Sequence, residues 1–325
     1  MSGVRIERIT SADEGKRVDR WLKKQLGEVP QSLIFKLIRS GQLRVNGKRV
    51  KGDVRLQEGD EVRIPPVQNT EHKNKGPRKL SDKDVQFIQS LVIYDDGDVV
   101  VLNKPGDIAT QGGTNTKYHI DGLLDGLKNK EGIAPRLVHR LDKETSGILI
   151  LARSASSVRK LGEMFKTKAV EKRYMALVSP LPETWDGTIN APLNKAGGKN
   201  KERMEIDEKN GQFAITDYKV VDHAAKQMAL VVFRPLTGRT HQIRAHASYA
   251  LQTPIVGDYK YGYDSEGLET QVKAKRLHLH AYEIRFDHPQ HKKLMKFTAP
   301  LPADIKKTWK SFGFIEKIAD DVFES

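Results

Sequence analysis

The segment HRLDKETSGILILA, residues 139–152, contains a charged turn followed at once by an apolar run. Leu137 and Val138 lead into it with strand composition, and residues 143–147 have the composition of a turn. The branched residues that follow predict a buried strand. Asp142 is therefore expected at a corner between two strands, on a loop where its side chain can face a ligand.

Asp142 lies between two cations, Arg140 and Lys143. Positive charge on both sides favours an ionised carboxylate, which a catalytic role requires. Two structural interpretations compete with a catalytic one. Turn aspartates commonly bond their own backbone, and structural ion pairs place the same residue types together. From these residues alone, the catalytic interpretation and the structural ones all stay open.

Three further segments complete an ordered set with residues 139–152: KRYMALV at 172–178, TGRTHQIR at 237–244 and RLHLHA at 276–281. This set resembles the signature of the RluA-type family of pseudouridine synthases. The resemblance covers nearly the whole chain, and the details before residue 67 resemble the RluC branch, which acts on large-subunit (23S) ribosomal RNA. It implies an α+β fold whose mixed, largely antiparallel sheet has a cleft across its middle.

The resemblance implies an isomerase that converts uridine in RNA to pseudouridine without a cofactor. Asp142 is the implied catalytic residue, Tyr174 would stack on the base and assist proton removal, and Arg244 would pair with Asp142. A guanidinium can hold a carboxylate in bidentate geometry, and its alternative role is a structural salt bridge. The implied substrate-binding residues are Arg140, Lys104 as an RNA contact, and Leu279 beneath the uracil.

Local patterns predict several elements of the large domain. A helix is expected over residues 154–168 and a strand over 171–178, from helical and strand-like spacing of apolar residues. Thr240 is expected to cap a further helix that runs through Ile243 and Ala250. Arg244 would then lie in the first turns of that helix.

Residues 14–66 predict a small module of two helices and a hairpin. Apolar residues recur at helical spacing twice, and Asn46-Gly47 is a strong hairpin signal. The module resembles the alpha-L (S-four-type) RNA-binding motif. Residues 1–66 carry fifteen Lys/Arg against nine Asp/Glu, a net charge of +6. We predict phosphate contacts at Lys36, Arg39, Lys48 and Arg49. Each of these residues is equally explained as a solvated surface charge.

Three domain segments follow from these patterns. Residues 1–66 form the alpha-L module, residues 67–86 a basic flexible linker, and residues 87–325 the pseudouridine synthase catalytic domain. The linker prediction depends on polar composition around Gly76-Pro77 without an apolar period.

The composition favours a polyanionic partner. Fifty-six Lys/Arg against 42 Asp/Glu give a net charge of +14, which suits nucleic acid or an acidic membrane surface. No apolar run approaches a membrane span, and the absence of cysteine excludes disulfides and thiolate chemistry. We therefore expect a cytoplasmic, monomeric protein whose partner is ribosomal RNA.

Five histidines in or next to these segments raise the question of a metal: residues 139, 241, 246, 278 and 280. His278 and His280 alternate as a ligand pair on a strand would. No HExxH or Cys/His framework accompanies them, so we expect no metal.

Other functions remain open at this level. One is an RNA-binding assembly factor without catalysis, against which the retained Asp142, Tyr174 and Arg244 argue. Another is a hydrolase with an aspartyl nucleophile, which would need a water-activating base that does not stand out. A third is a synthase of the same family that acts on other RNA, such as tRNA.

Overall fold

The computed structural model describes residues 3–27, 29, 31–67, 80–113, 116, 118–197, 203–263, 274–314 and 316–323. The chain forms two compact units, Met1–Lys79 and Leu80–Ser325. No helix in the described ranges is long and apolar enough to cross a membrane.

The N-terminal unit joins two helices to a small antiparallel sheet of order β1-β4-β2-β3. Its elements are β1 (Arg5–Arg8), α1 (Val18–Leu26), α2 (Gln31–Arg39), β2 (Arg44–Val45), β3 (Lys48–Arg49) and β4 (Glu61–Ile64). Trp21, Leu22 and Ile34 bury the apolar faces of both helices against the sheet. Asn46 and Gly47 both have positive φ between β2 and β3, as a two-residue hairpin turn requires. The predicted helices and hairpin are confirmed.

The linker predicted over residues 67–86 is too long at its C-terminal end. A helix, α3 (Asp82–Ser90), begins inside it and belongs to the second unit. Ser81 Oγ accepts from the Asp84 backbone N–H at 3.2 Å, and Asp84 Oδ2 accepts from the Ser81 N–H at 3.1 Å. This capping box starts the helix despite its polar first turn, and the fully buried Ile88 anchors it. Residues 68–79 of the predicted linker lie outside the described residues.

The second unit contains the large sheet and the helices that cover it. Its strands are β5 (Val92–Asp95), β6 (Val99–Lys104), β7 (Arg136–Leu137), β8 (Ser146–Ala152), β9 (Glu171–Val178), β10 (Asp186–Asn190), β11 (Leu193–Lys195), β12 (Met204–Ile206), β13 (Ile215–Ala224), β14 (Met228–Pro235), β15 (Leu279–Asp287) and β16 (Leu294–Thr298). The remaining helices are α4 (Ala155–Thr167), α5 (Gln242–Ala245), a π-helical turn (His246–Ala250) and α6 (Ala303–Ser311), with 3-10 turns at Ile120–Leu127 and Tyr259–Tyr261.

The sheet has ten strands, eight of them in the order β10-β13-β14-β9-β15-β8-β6-β5, with β7 paired to β8 and β16 to β15. The β15–β8 pair is parallel, and the other pairs in this sheet are antiparallel. A mixed, mostly antiparallel sheet covered by helices confirms the predicted α+β fold.

Both faces of the sheet are packed. On β9, Met175 and Leu177 contact one apolar cluster with Trp309 of α6, while Ala176 and Val178 contact a second cluster on the opposite face. A third cluster covers the neighbouring part of that opposite face beside the 3-10 turn at 120–127. Tyr174 packs against both the second and the third cluster. Tyr174 therefore marks the place, near the centre of the sheet, where these two clusters meet.

Candidate active site

Asp142 lies on the loop between β7 and β8, as the sequence predicts. The two strands pair with each other, Leu137 opposite Leu151, so the loop leaves and re-enters the sheet at one place. The Asp142 side chain is 30% exposed, and its neighbours Arg140 and Lys143 are exposed. The carboxylate is thus accessible while its backbone is held close to the sheet.

The loop is anchored on both sides of Asp142. Thr110 Oγ1 donates to the carbonyl of Leu141 at 2.7 Å and accepts from the Leu141 N–H at 3.1 Å. Lys104 Nζ donates to the carbonyl of Lys143 at 3.2 Å, and also to the carbonyls of Pro105 and Ile108. These bonds fix the residues next to the carboxylate, which preorganises it.

The prediction that Lys104 contacts RNA is not supported, because its side chain is fully buried. Three backbone carbonyls replace its water shell. Burial lowers the pKa of Lys104 to about 7, although the charge of Asp142 opposes the fall. Lys104 therefore stabilises the loop that carries Asp142 from its buried side.

Gly147 allows the loop to enter the centre of the sheet. It has φ +112°, and a Cβ there would lie 2.2 Å from the backbone oxygen of Ala281. Ala281 is its parallel partner on β15. No other residue fits, so the glycine of the segment is explained by the close approach of β8 to β15.

Tyr174 lies near the carboxylate, and Leu279 lies on the neighbouring strand. Leu279 pairs with Ala176 at the start of β15, and both Leu279 and Tyr174 belong to the same apolar cluster. Burial, with the added charge of Asp142, raises the pKa of Tyr174 well above its usual range. The hydroxyl is therefore protonated at neutral pH, and the ring of Tyr174 joins the surroundings of Asp142 to the apolar cluster that contains Leu279.

The predicted ion pair between Arg244 and Asp142 is wrong for this structure. Arg244 donates from Nε and Nη2 to the two oxygens of Asp258, each at 2.7 Å, and from Nη1 to Glu144 Oε2 at 3.3 Å. Burial opposes its charge, but the bonds to Asp258 and the charges of Glu144 and Asp142 outweigh burial and raise its pKa. Arg244 still acts near the catalytic loop, since Glu144 lies two residues after Asp142.

His241 is a neighbour of Asp142 that the sequence indicated only as a possible metal ligand. Its Nε2 lies 3.9 Å from Asp142 Oδ2, and its Nδ1 lies 2.8 Å from the Tyr261 hydroxyl. It adopts φ +51°, a left-handed conformation that is uncommon outside glycine. Thr240 does not cap α5 as predicted, since His241 occupies the N-cap position and makes no side-chain cap bond.

Two other histidines of the four segments, His139 and His280, have structural contacts. His139 Nε2 accepts from the Ile150 N–H at 2.8 Å, and its ring stacks on Phe165. His280 bonds Ser146 Oγ through Nδ1 and the Ala299 carbonyl through Nε2, so both ring nitrogens are engaged. In the described ranges no group of three or more His, Cys, Asp or Glu side chains is placed to hold a metal.

Comparison with known proteins agrees with this geometry. A family model described as RNA pseudouridylate synthase matches residues 98–249, and an S4 domain model matches residues 16–62. Ribosomal large subunit pseudouridine synthase C of Salmonella typhi is 37% identical over 309 residues, which are 94% of this chain and 95% of that protein. The chain belongs to the RNA pseudouridylate synthase family.

Other members of the family agree in sequence and in fold. The protein of the same name from Haemophilus influenzae (strain ATCC 51907 / DSM 11121 / KW20 / Rd) is 37% identical over 94% of both chains. The solved structure of human RNA Pseudouridylate Synthase Domain Containing 4 matches with a TM-score of 0.60 at 26% identity, covering 71% of this chain and 97% of that one. The resemblance stated from the four segments is confirmed, and the protein is an isomerase that acts on RNA.

Within this RNA pseudouridylate synthase, the structure brings four of the predicted site residues together: Asp142, Tyr174, Arg244 and Leu279. Arg140 is exposed on the same loop. Lys36, Arg39, Lys48 and Arg49 belong to the N-terminal unit, where all four are exposed. The sequence indicated His241 only as a possible metal ligand and did not indicate Tyr261 or Asp258. Asp258 follows a segment with no recognisable motif, so only the fold reveals it.

Proposed function

We propose that the protein converts uridines of large-subunit ribosomal RNA to pseudouridine, with Asp142 as its catalytic residue. The observation that carries this proposal is an accessible carboxylate on an anchored loop, near a neutral tyrosine. The names of the relatives at 37% identity support ribosomal RNA as the substrate class.

The reaction exchanges one glycosidic bond for another without net consumption of a reagent. The bond from C1′ of the ribose to N1 of uracil breaks, the base rotates, and C1′ bonds to C5. The C5 proton then leaves and N1 gains a proton. Asp142 serves either by attacking the sugar covalently or by taking a sugar proton through a glycal. The target nucleotide must leave its stack at a cost of about a few kcal/mol, which contacts to RNA offset.

Leu279 and Arg140 fit complementary parts of a flipped uridine. Leu279 is buried next to Tyr174 and supplies an apolar surface beneath the base. Arg140 is exposed two residues before Asp142, so its guanidinium can reach a phosphate of the same nucleotide. One residue therefore positions the base and the other positions the backbone.

The tyrosine has two separable roles in this proposal. The neutral hydroxyl of Tyr174 can accept the C5 proton only while it passes its own proton to Asp142. Replacing Tyr174 by phenylalanine keeps the ring and removes this relay, so we expect KM to change little and kcat to fall by about 10²–10⁴-fold. Tyr174→Leu should in addition raise KM, because the stacking surface is smaller. Single-turnover kinetics on one short uridine-containing RNA would measure both. Equal kcat in wild type and Tyr174→Phe would remove the hydroxyl from the chemistry.

His241 orients the carboxylate in this proposal. The Tyr261 hydroxyl accepts from the Met204 N–H at 2.8 Å and can give its own proton to His241 Nδ1. The remaining ring proton is then on Nε2, facing Asp142. Burial lowers the pKa of His241, with Arg244 and Lys260 adding to the fall and Asp142 and Glu144 opposing it. A neutral ring thus presents an N–H to the carboxylate.

Replacing His241 by alanine should lower kcat about tenfold with KM unchanged, because positioning and not RNA contact is lost. His241→Asn should retain more activity, since asparagine tolerates positive φ and keeps a donor. His223→Ala, at an exposed histidine on β13, is the matched control and should be neutral. Steady-state kinetics of the three variants decide the matter, and a fall in kcat shared by His223→Ala would discredit a specific role for His241.

The exposed cations of the N-terminal unit support an RNA partner. Lys36, Arg39, Lys48 and Arg49 are suited to phosphate contacts that position RNA without reading its sequence. We propose that the protein acts as a monomer in the cytoplasm. A single chain supplies Asp142, Tyr174, Arg244 and Leu279, and the absence of cysteine suits a reducing compartment.

Purified protein and protein-free RNA test the proposed function. Large-subunit ribosomal RNA labelled with tritium at C5 of uridine should release tritium to water, and its digest should contain pseudouridine. A tRNA pool under the same conditions should release much less, and the reverse ranking would move the substrate to tRNA. Release of free uracil in place of pseudouridine would indicate a hydrolase.

A further inference from the structure

A groove in the N-terminal unit lies between the C-terminal half of α2 and the residues that follow β3. Its volume is about 630 Å³, within the range of small-ligand pockets. Its lining combines an apolar floor with cations at the edge: Phe35, Ile38 and Val50 in the floor, and Arg39, Arg49 and Lys51 around them. The groove is therefore shaped and charged for a ligand that has both a flat apolar part and a negative part.

Phe35 supplies the flat apolar surface. Its neighbours on α2, Ile34, Leu37 and Ile38, are buried in the core of the unit, whereas Phe35 is 41% exposed. A single exposed aromatic residue needs no explanation by itself. Here the ring lines a concave site and has three cations next to it, which is the combination that single-stranded nucleic acid binds.

One acidic group near the groove, Asp19, is already neutralised. Asp19 is 4% exposed and lies under Gly52. Its oxygens accept from Arg17 at 2.9 and 3.2 Å and from the Arg20 N–H at 2.8 Å. An anion in the groove therefore meets the charges of Arg39, Arg49 and Lys51, and the carboxylate of Asp19 near Gly52 is already paired.

We propose that this groove binds one unpaired nucleotide of the RNA, with its base on the ring of Phe35 and the adjoining phosphates on the three cations. The proposal rests on the proposed function only in taking RNA as the bound polymer. A base within a duplex is already stacked on both faces, so only an unpaired one can reach the ring. The groove would hold a single-stranded segment next to a target, apart from the residues that perform the chemistry.

The experiment uses the full chain and a fluorescent RNA of about twelve nucleotides, within the span of single-strand binding modules. This probe contains only adenosine and cytidine, so it cannot be isomerised. A blunt-ended RNA duplex with the same number of phosphates and no unpaired nucleotide is the comparison. Affinities are measured by anisotropy over a series of salt concentrations.

Phe35→Ala should bind the single strand about 5- to 100-fold more weakly with an unchanged salt slope, because stacking is lost and phosphate contacts remain. Phe35→Tyr should bind normally. Arg39→Ala and Lys51→Ala should each make the log–log salt slope shallower by about 0.7. These opposite signatures separate stacking from charge.

Gly52 offers a test that leaves every lining side chain in place. A Cβ at this position would lie 3.5 Å from both Phe35 Cε1 and Ile38 Cδ1, an ordinary contact. Gly52→Val should therefore fill the groove without a clash at its first carbon, and should weaken single-strand binding with the salt slope unchanged. Ile6→Ala, at a residue 66% exposed on β1 and outside the groove, is the matched control and should bind normally.

Three results would overturn the proposal: unchanged single-strand affinity of Phe35→Ala, an equal loss on the duplex, or no measurable binding of the probe by wild type. The second would show that Phe35 supports RNA binding without stacking on an unpaired base, and the third would leave a protein-binding surface as the use of the groove. Thermal melting of each variant checks folding. Conversion of a short uridine-containing RNA is followed in parallel, so that a failed groove with intact conversion is distinguishable from a failed proposed function with an intact groove.

Discussion

Replacing Asp142 by asparagine is expected to reduce pseudouridine formation by about 10⁴-fold or more, because the amide is neither nucleophile nor base. The change should leave the fold intact. In the described part of the chain the Asp142 side chain makes no hydrogen bond, and its ion-pair contact is the 3.9 Å approach of His241. The affinity for RNA should stay within a few-fold. Single-turnover assays at saturating enzyme measure the chemical step directly.

Glu144 provides a matched control for this variant, since it is a second carboxylate on the same loop. It bonds Arg244 at 3.3 Å and is partly exposed. Glu144→Gln should lose less than about tenfold in rate, because it weakens one charged contact and leaves the reacting carboxylate in place. Substantial turnover in Asp142→Asn together with loss in Glu144→Gln would transfer the catalytic role to Glu144.

Replacing Arg244 by alanine is expected to destabilise the protein by about 3–5 kcal/mol, because it leaves a buried carboxylate without its partner. Asp258 is 1% exposed, and both of its oxygens accept from Arg244. Turnover should also fall, by about 10²-fold at a temperature where the variant is folded, since a fixed positive charge near Asp142 is removed. Denaturant unfolding and single-turnover kinetics measure the two effects separately.

Arg234→Ala is the control for this second variant. Arg234 pairs with Asp217 on the same sheet through two bonds of about 3 Å, but its side chain is 29% exposed. Water can replace that contact, so the expected cost is roughly 1 kcal/mol with activity retained. If both variants lost the same stability, the burial of the Arg244–Asp258 pair would not explain its importance. Full activity of Arg244→Ala would remove Arg244 from the site.

Local patterns are sufficient for the framework around the active site. The apolar run after Gly147 forms the fully buried β8, and the turn before it places Asp142 at a corner. Ser154 caps α4 by accepting from the Ser157 N–H, and β9 has the predicted bounds. Each of these depends on residues close in sequence, where period and composition determine the element.

Partners of buried charges depend on the fold and were not predictable in the same way. Arg244 is in a motif, but its partner Asp258 follows a loop without one, and the bidentate pair forms because both side chains are excluded from water. A lysine such as Lys104 is normally expected at the surface, yet hydrogen bonds to three backbone carbonyls stabilise its buried ammonium group. Every residue has a backbone carbonyl, so the sequence does not show where several of them converge. The burial of a lysine among such carbonyls therefore cannot be predicted from the sequence.

The predictions for the first residues of two helices, α3 and α5, were wrong for a different reason. The capping-box residues Ser81 and Asp84 are visible in the sequence, but the polar composition around them favoured a linker. At α5 the expected Thr240 cap is replaced by another arrangement. Gln242 Oε1 accepts from the Arg239 N–H at 3.0 Å and from Thr237 Oγ1 at 2.7 Å. His241 is thereby left in a left-handed conformation next to Asp142, where side-chain bonding within the turn determines the geometry.

The central claim is that Asp142 of this protein forms pseudouridine in large-subunit ribosomal RNA. Mapping pseudouridines in that RNA from cells with the protein, without it, and with only the Asp142→Asn form tests the claim most directly. We expect specific uridines to be modified with the wild-type protein and unmodified in the other two. Pseudouridine that persists at every position without the protein, or that is restored by the Asp142→Asn form, would contradict the claim.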